Sequence, residues 1–277
     1  MTRVRITRLR PLLLGLGGLA VIMAGLGTAV ALWTPPASAS RQGSPAGQIC
    51  RPQRPCLAIV VDDVGRDLAA LERLLAVRLD LTYSVLPDGR HTAAALEAIR
   101  AHGREILLHM PMAPVDPGRI TDEKVVLGRD EPLEEALDSS LERVPDAVGV
   151  NNHMGSALCQ DAPAVRRVLR RLGQQNLWFL DSRTSARSVF CQQAKPLGVP
   201  CIERDVFLDH PPEPGALHRQ LVAVVGTARQ RGWAVAIAHP HPETVELLKA
   251  VEQRLAGVVQ IRRLSVLFAT REPRNGT

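Results

Sequence analysis

The amino-acid sequence predicts an α/β domain of parallel strands alternating with outer helices, about seven strands closed in a barrel-like sheet. Three observations predict it. Short apolar runs rich in Val, Ile and Leu recur along the chain, separated by segments with helical apolar spacing. The alternation repeats about seven or eight times, which suits closure better than a short open sheet; an open doubly wound sheet is the alternative. Aromatic residues make up only 3% of the 277 residues, so the core must be built from Leu, Val, Ala and Ile.

The elements follow in order. Residues 57–65, L-A-I-V-V-D-D-V-G, place an apolar run directly before two carboxylates and a glycine. Such a run suits a strand buried on both faces. Asp62 and Asp63 would point to opposite sides of a regular strand, and Gly65 permits the following turn. Leu68, Leu71, Leu74 and Leu75 mark a helix face. Residues 81–86 read as a strand closed by Pro87-Asp88-Gly89, and Thr92 is placed to cap the next helix. Residues 105–109 read as a third strand. A long loop broken by Pro and Gly covers 111–129. Glu131-Pro132 opens a helix, 147–150 form a strand, and Asp161 with Pro163 starts another helix. Strands follow at 177–180, 206–208, 233–238 and 258–261, with helices from Leu217 and Pro242 between them.

The N-terminus carries Arg3, Arg5, Arg8 and Arg10 before an apolar stretch over 11–33 and a small-residue segment around Ala37-Ser38-Ala39. This is the pattern of a signal peptide, and the apolar stretch is also long enough for a retained membrane anchor. Residues 1–40 are therefore read as signal peptide or N-terminal anchor, 41–56 as a flexible Gly/Ser/Pro linker, 57–270 as the barrel domain and 271–277 as a disordered tail. Either reading of the N-terminus puts the domain outside the cytoplasmic membrane, in the periplasm or beyond. The five cysteines fit an oxidising compartment. Cys50 with Cys56 and Cys191 with Cys201 are nearest in sequence, leaving Cys159; no C-x-x-C pattern indicates a zinc ribbon. The net charge of +6 is scattered, with no basic run interleaved with aromatics, which argues against nucleic-acid binding. No glycine-rich nucleotide loop follows a strand.

Chemistry concentrates where strands end. Asp62, Asp63, His109, Asn151-Asn152-His153, Asp181, Asp209-His210, His239 and His241 all follow expected strands, and in a parallel barrel those ends converge on one face. His and carboxylate ligands suit zinc or another divalent first-row metal. With a carboxylate base and a histidine acid beside it, such a centre supports hydrolysis of an amide or ester.

The segments V-D-D-V-G, T-Y-S-V-L-P, G-R-E-I-L-L-H-M-P-M, G-V-N-N-H-M-G-S, F-L-D-S-R-T-S and I-A-H-P-H-P-E-T, in this order over about 57–268, resemble the divergent polysaccharide deacetylases (YibQ-type), distant relatives of the NodB-homology carbohydrate deacetylases. The resemblance implies an irregular (β/α) barrel, a divalent metal, most often zinc, and removal of acetyl groups from amino sugars. It implies Asp62 as base, Asp63 and His109 as metal ligands, and His239 as the acid for the leaving group. The second histidine of the H-x-x-x-H pattern is replaced here by Ala113, and His153 is the substitute ligand. Asn151, Asn152, Asp181 and Arg183 are expected substrate contacts. The implied function is a periplasmic, metal-dependent deacetylase-like hydrolase acting on N-acetylated envelope glycan. The alternative is a glycan-binding or envelope-assembly protein that kept the barrel without turnover.

Overall fold

The computed structural model describes residues 50–128, 132–210, 215–252 and 254–269. The apolar N-terminal stretch, most of the linker, Glu131 and the tail lie outside the described residues. No helix among the described residues is long and apolar enough to cross a membrane.

β1 (Cys56–Val64) is the centre of the sheet. On one side it pairs with β8 (Trp233–Ala238) in parallel register from Cys56↔Trp233 to Val61↔Ala238. Its other side is shared. β9 (Gln260–Ile261) pairs with Cys56 and Leu57, and β2 (Thr82–Val85) pairs further along, from Val60↔Thr82. Outward from β2 come β3 (Glu105–Met112), β4 (Gly149–Met154), β5 (Trp178–Asp181) and β6 (Cys201–Glu203); β7 (Val206–Phe207) flanks β8. Every ladder pair is parallel. The sheet edges β6 and β7 are separated in sequence only by Arg204 and Asp205, so the chain itself spans the seam of an irregular barrel. Arg204 bridges it: Nε and Nη2 donate to the carbonyls of Ser182 and Arg183, and the guanidinium lies 3.8 Å above the Phe207 ring.

The helices α1 (Leu68–Leu75), α2 (Thr92–Ala101), α3 (Leu133–Arg143), α4 (Ala162–Gln174), α5 (Phe190–Ala194), α6 (Ala216–Arg231) and α7 (Pro242–Val251) alternate with these strands, and α8 (Leu264–Ala269) ends the described chain. Strand alternation divides the core. Leu57, Ile59 and Val61 join the cluster formed with the outer helices, whereas Cys56, Ala58 and Val60 join Leu107, Leu180, Val235 and Ile237 in a second cluster with Leu264 and Leu267 of α8. α8 therefore plugs one end of the barrel. Its first amides donate to Thr82 Oγ1 (2.9 Å) and Glu105 Oε1 (3.1 Å), so a carboxylate sits against a helix N-terminus.

The alternation reading is correct, and the long strands fall where expected. β6, α5 and α8 carry too few residues to show a period. Thr92 begins α2 rather than capping it, its Oγ1 bonding the Leu86 carbonyl at 2.6 Å. The pairs nearest in sequence, Cys50–Cys56 and Cys191–Cys201, form the two disulfides, and Cys159 is a buried free thiol.

Local breaks in β1 are what aim the site. The β1–β2 register shifts between Val61 and Val64, and Asp63 has φ of 57°. By alternation Asp62 faces inward with Ala58 and Val60, while Asp63 would face the helices. The bulge and the left-handed residue turn Asp63 back, so both carboxylates reach one cavity. Asp67, not either of these, caps α1 by accepting from Ala70 N at 3.0 Å. Gly65 follows at φ +109°, where a Cβ would lie 3.1 Å from Thr92 Oγ1. Gly65→Ala is expected to lower unfolding free energy by about 1–3 kcal/mol, read as a fall in denaturant midpoint.

Candidate metal centre

Asp63, His109 and His153 meet at the end of β1, β3 and β4. The register Pro111↔His153 and His109↔Asn151 puts His153 two residues beyond the partner of His109, on the same sheet face. Asp63 Oδ1 lies 3.2 Å from His109 Nε2 and 3.1 Å from His153 Nδ1, and the two ring nitrogens are 3.1 Å apart. Three donors held about 2.1 Å from one divalent cation stand roughly 3.0–3.4 Å apart, depending on geometry. The triangle fits that spacing. Asp63 Oδ1 is also buried without a hydrogen bond of acceptable angle, an orphaned oxygen aimed at the centre of the triangle.

The opposite ring nitrogens are held in place. His109 Nδ1 donates to Asn151 Oδ1 at 3.0 Å, which leaves Nε2 to face Asp63. Asn151 is itself fully committed. Its Oδ1 also accepts from Ser84 Oγ, and its Nδ2 donates to Asp62 Oδ1 (2.9 Å) and Ser182 Oγ (3.2 Å). His153 Nε2 faces Glu123 Oε1 at 3.1 Å.

Asp62 is buried beside this centre, its Oδ2 3.7 Å from His109 Nε2. Burial pushes its carboxyl above the ordinary range, opposed by the charges of His109 and His239 and by the Asn151 amide. Burial acts on Asp63 in the same direction, but its two histidines outweigh it and hold that carboxylate well below the usual range. Two neighbouring carboxylates are thus driven in opposite directions from the ordinary range. His109 is raised: burial opposes its charge, and Asp62 and Asp63 outweigh burial.

His239 follows the last paired step of β8, Val61↔Ala238, and so stands next to Asp62 across the ladder. Its Nδ1 meets Asp209 Oδ1 at 3.1 Å, while Asp209 Oδ2 accepts the His239 backbone N–H and the Thr244 hydroxyl. Burial lowers the imidazole pKa, and the Asp209 hydrogen bond and charge reverse this, raising it to about 9. Asp62, Asp63, His109, Asn152, His153, Asp209 and His239 line one cavity of about 580 Å³, with Arg119, His210 and His241 among its other walls. That volume lies in the range of small-ligand sites. Asp209, His239 and His241 also bring ligand atoms within 4.8 Å of one another, but Asp209 and His239 already bond each other and His241 is exposed.

Three expected substrate contacts do not reach the cavity wall. Asn151 is buried with all four hydrogen-bonding positions used internally. Asp181 is buried, accepting from Ser188 Oγ (2.7 Å) and Arg183 N (2.8 Å), and so shapes its own turn. Arg183, at φ of 50°, bonds the Ala186 carbonyl and Glu203. Asn152 does line the cavity, tied to Thr184 Oγ1 and Ser182 N. Ala113 packs against the outer core. Sequence reasoning did not assign Glu123, Ser84 or the pairing of Asp209 with His239; only Asp209, at a strand end, carried a signal.

A statistical model of the divergent polysaccharide deacetylases matches residues 59–268. The chain belongs to the divergent polysaccharide deacetylase family. Among family relatives, an uncharacterized protein of Haemophilus influenzae (strain Rd) is 36% identical over 206 residues, covering 74% of each chain. The uncharacterized protein YibQ of Escherichia coli K12 is 34% identical over 214 residues, covering 76% of this chain and 67% of its own. The crystal structure of the uncharacterized protein ATU2773 from Agrobacterium tumefaciens C58 superposes with a TM-score of 0.69 at 26% identity, covering 80% of this chain and 94% of that one.

A divalent cation must displace the proton that the two carboxylates favour on His109. Zinc binding is therefore expected to release protons, and zinc affinity to fall on acidification. Calorimetry in buffers of different ionisation enthalpy measures the release directly.

Proposed function

We propose that this protein is an extracytoplasmic, metal-dependent hydrolase that removes acetyl groups from N-acetylated envelope glycan. One observation carries the reading: the ligand triangle of Asp63, His109 and His153 stands beside a buried carboxylate, Asp62, which is next to a histidine, His239, held protonated by Asp209. Zinc is the cation that this donor set suits best. When bound, such a cation supplies Lewis acidity, polarising a carbonyl oxygen and lowering the pKa of water.

The chain's own residues do the rest. Asp62, destabilised as an anion by burial, accepts the proton of the water that attacks the acetyl carbonyl. His239 carries a proton at neutral pH and delivers it to the amide nitrogen as the C–N bond breaks. The products are acetate and a free amine. Asn151 orients both Asp62 and His109 through one amide, and Asn152 offers the cavity a fixed polar wall. Two disulfides support an oxidising compartment, in line with an N-terminal signal or anchor. Ala113 is the observation that favours a binding protein without turnover; the third ligand offered by His153 answers it.

Metal content and acetate release measured on one preparation test the reading. Wild type is expected to hold about one zinc per chain and to release acetate from an N-acetylated glycan oligomer, with Asp63→Ala and His153→Ala losing both. A wild type that binds no supplied zinc would sink it. The His239 assignment makes a second prediction. Because its pKa is raised to about 9, activity should hold through neutral pH and fall as pH rises through that value. Asp209→Asn should move this alkaline limb down, toward the ordinary histidine value of about 6.5; an unmoved limb would exclude His239 as the acid.

A further inference from the structure

We propose that Glu123, from the loop between β3 and α3, is the positioning residue of the metal centre, fixing His153 for coordination and itself fixed by Arg66. The inference rests on the metal-site reading above and extends it to a residue outside the ligand set. Glu123 is 30 residues from His153 in sequence, and no pattern of spacing marks it; it enters the site through the fold.

The geometry is specific. The Glu123 side chain is only 3% exposed. Its Oε1 lies 3.1 Å from His153 Nε2 and accepts from Arg66 Nη2 at 2.6 Å, while Oε2 accepts from Thr121 N at 2.9 Å. Glu123 meets the ring nitrogen that faces away from Asp63, so it stands behind His153 rather than among the ligands. A carboxylate on Nε2–H keeps the proton there and leaves the Nδ1 lone pair free to face Asp63.

The loop is pinned on both sides of Glu123. Asp88 Oδ2 accepts from the backbone N–H groups of Lys124 (3.1 Å) and Val125 (3.0 Å), and Arg143 pairs with the other Asp88 oxygen. Leu127 exchanges backbone bonds with Pro111 and Ala113, each 2.9 Å. On the other side Arg66 also reaches Asp122 at 3.0 Å. Arg66 directly follows Gly65, so the turn after Asp62 and Asp63 supplies the cation that locks Glu123. One turn thus orients two of the three ligands, Asp63 through the backbone and His153 through Arg66 and Glu123.

Metal affinity separates this role from loop anchoring. Zinc and cobalt(II) dissociation constants are measured by chelator competition on metal-free full chain, on Glu123→Gln, Glu123→Ala and His153→Ala. The cobalt absorption spectrum and the melting temperature of each metal-free form are recorded alongside. Glu123→Gln keeps the size and an acceptor but loses the charge, and should weaken binding about tenfold; Glu123→Ala should approach a hundredfold. Both should change the cobalt spectrum while the metal-free melting temperature of Glu123→Gln stays at that of wild type. If Glu123→Gln binds both metals within about twofold of wild type with an unchanged spectrum, while His153→Ala loses binding, Glu123 is only a loop anchor and the proposal falls alone. If His153→Ala also binds as wild type does, the ligand set is wrong and both readings fall together.

Discussion

Two carboxylates, buried Asp62 and part-buried Asp63, stand side by side at the end of the central strand, and the polar structure around them exists because such groups cannot be left alone. An isolated carboxylate taken out of water costs several kcal/mol even after relaxation. Asp62 answers this with one amide. Asn151 must turn its NH2 toward the Asp62 oxygen, so its carbonyl oxygen turns toward His109, and His109 must then carry its proton on Nδ1. Nε2 is thereby the ring nitrogen left to face Asp63. The orientation of the His109 ring is set by the charge of a carboxylate on another strand. Leaving any member of this chain unpaired would cost about 1–3 kcal/mol.

The second carboxylate is answered differently. Asp63 keeps an oxygen without a hydrogen bond, between two histidine nitrogens, in a backbone conformation that few non-glycine residues adopt. Met154 and Arg183, at the ends of β4 and β5, also have positive φ. Strain of this kind persists only where surrounding structure over-determines it. Here that structure is the long paired β1–β8 ladder on one side and the α8 plug below, which fix the strand before its end departs from regularity.

Much of this was legible in the sequence because strand ends in a parallel barrel share a face. Asp62, Asp63, His109, His153 and His239 each follow an apolar run, and the fold brings all five to one cavity. The same rule over-reached for Asn151, Asp181 and Arg183. A strand-end position specifies a face but not whether the side chain stops at a buried partner or continues to the cavity. Asn151 stops at Asp62 and His109, and Asp181 stops at its own turn. Glu123 was illegible for the opposite reason. It lies in a loop without periodicity, and its position depends on bonds from Asp88 and Arg66, which are distant in sequence. Asp209 was visible as a strand-end carboxylate, but its bond to His239 depends on β7 lying beside β8, a pairing of only two residues.

The loop after β3 starts at Ala113, which pairs through its backbone with Leu127 and packs on the outer core. His153 arrives on a ladder-paired strand whose register with β3 fixes its height above His109. Pairing fixes height but not ring rotation, and a ring on the edge of a cavity needs a partner on its far nitrogen. The loop after β3 passes behind that nitrogen and carries Glu123 there.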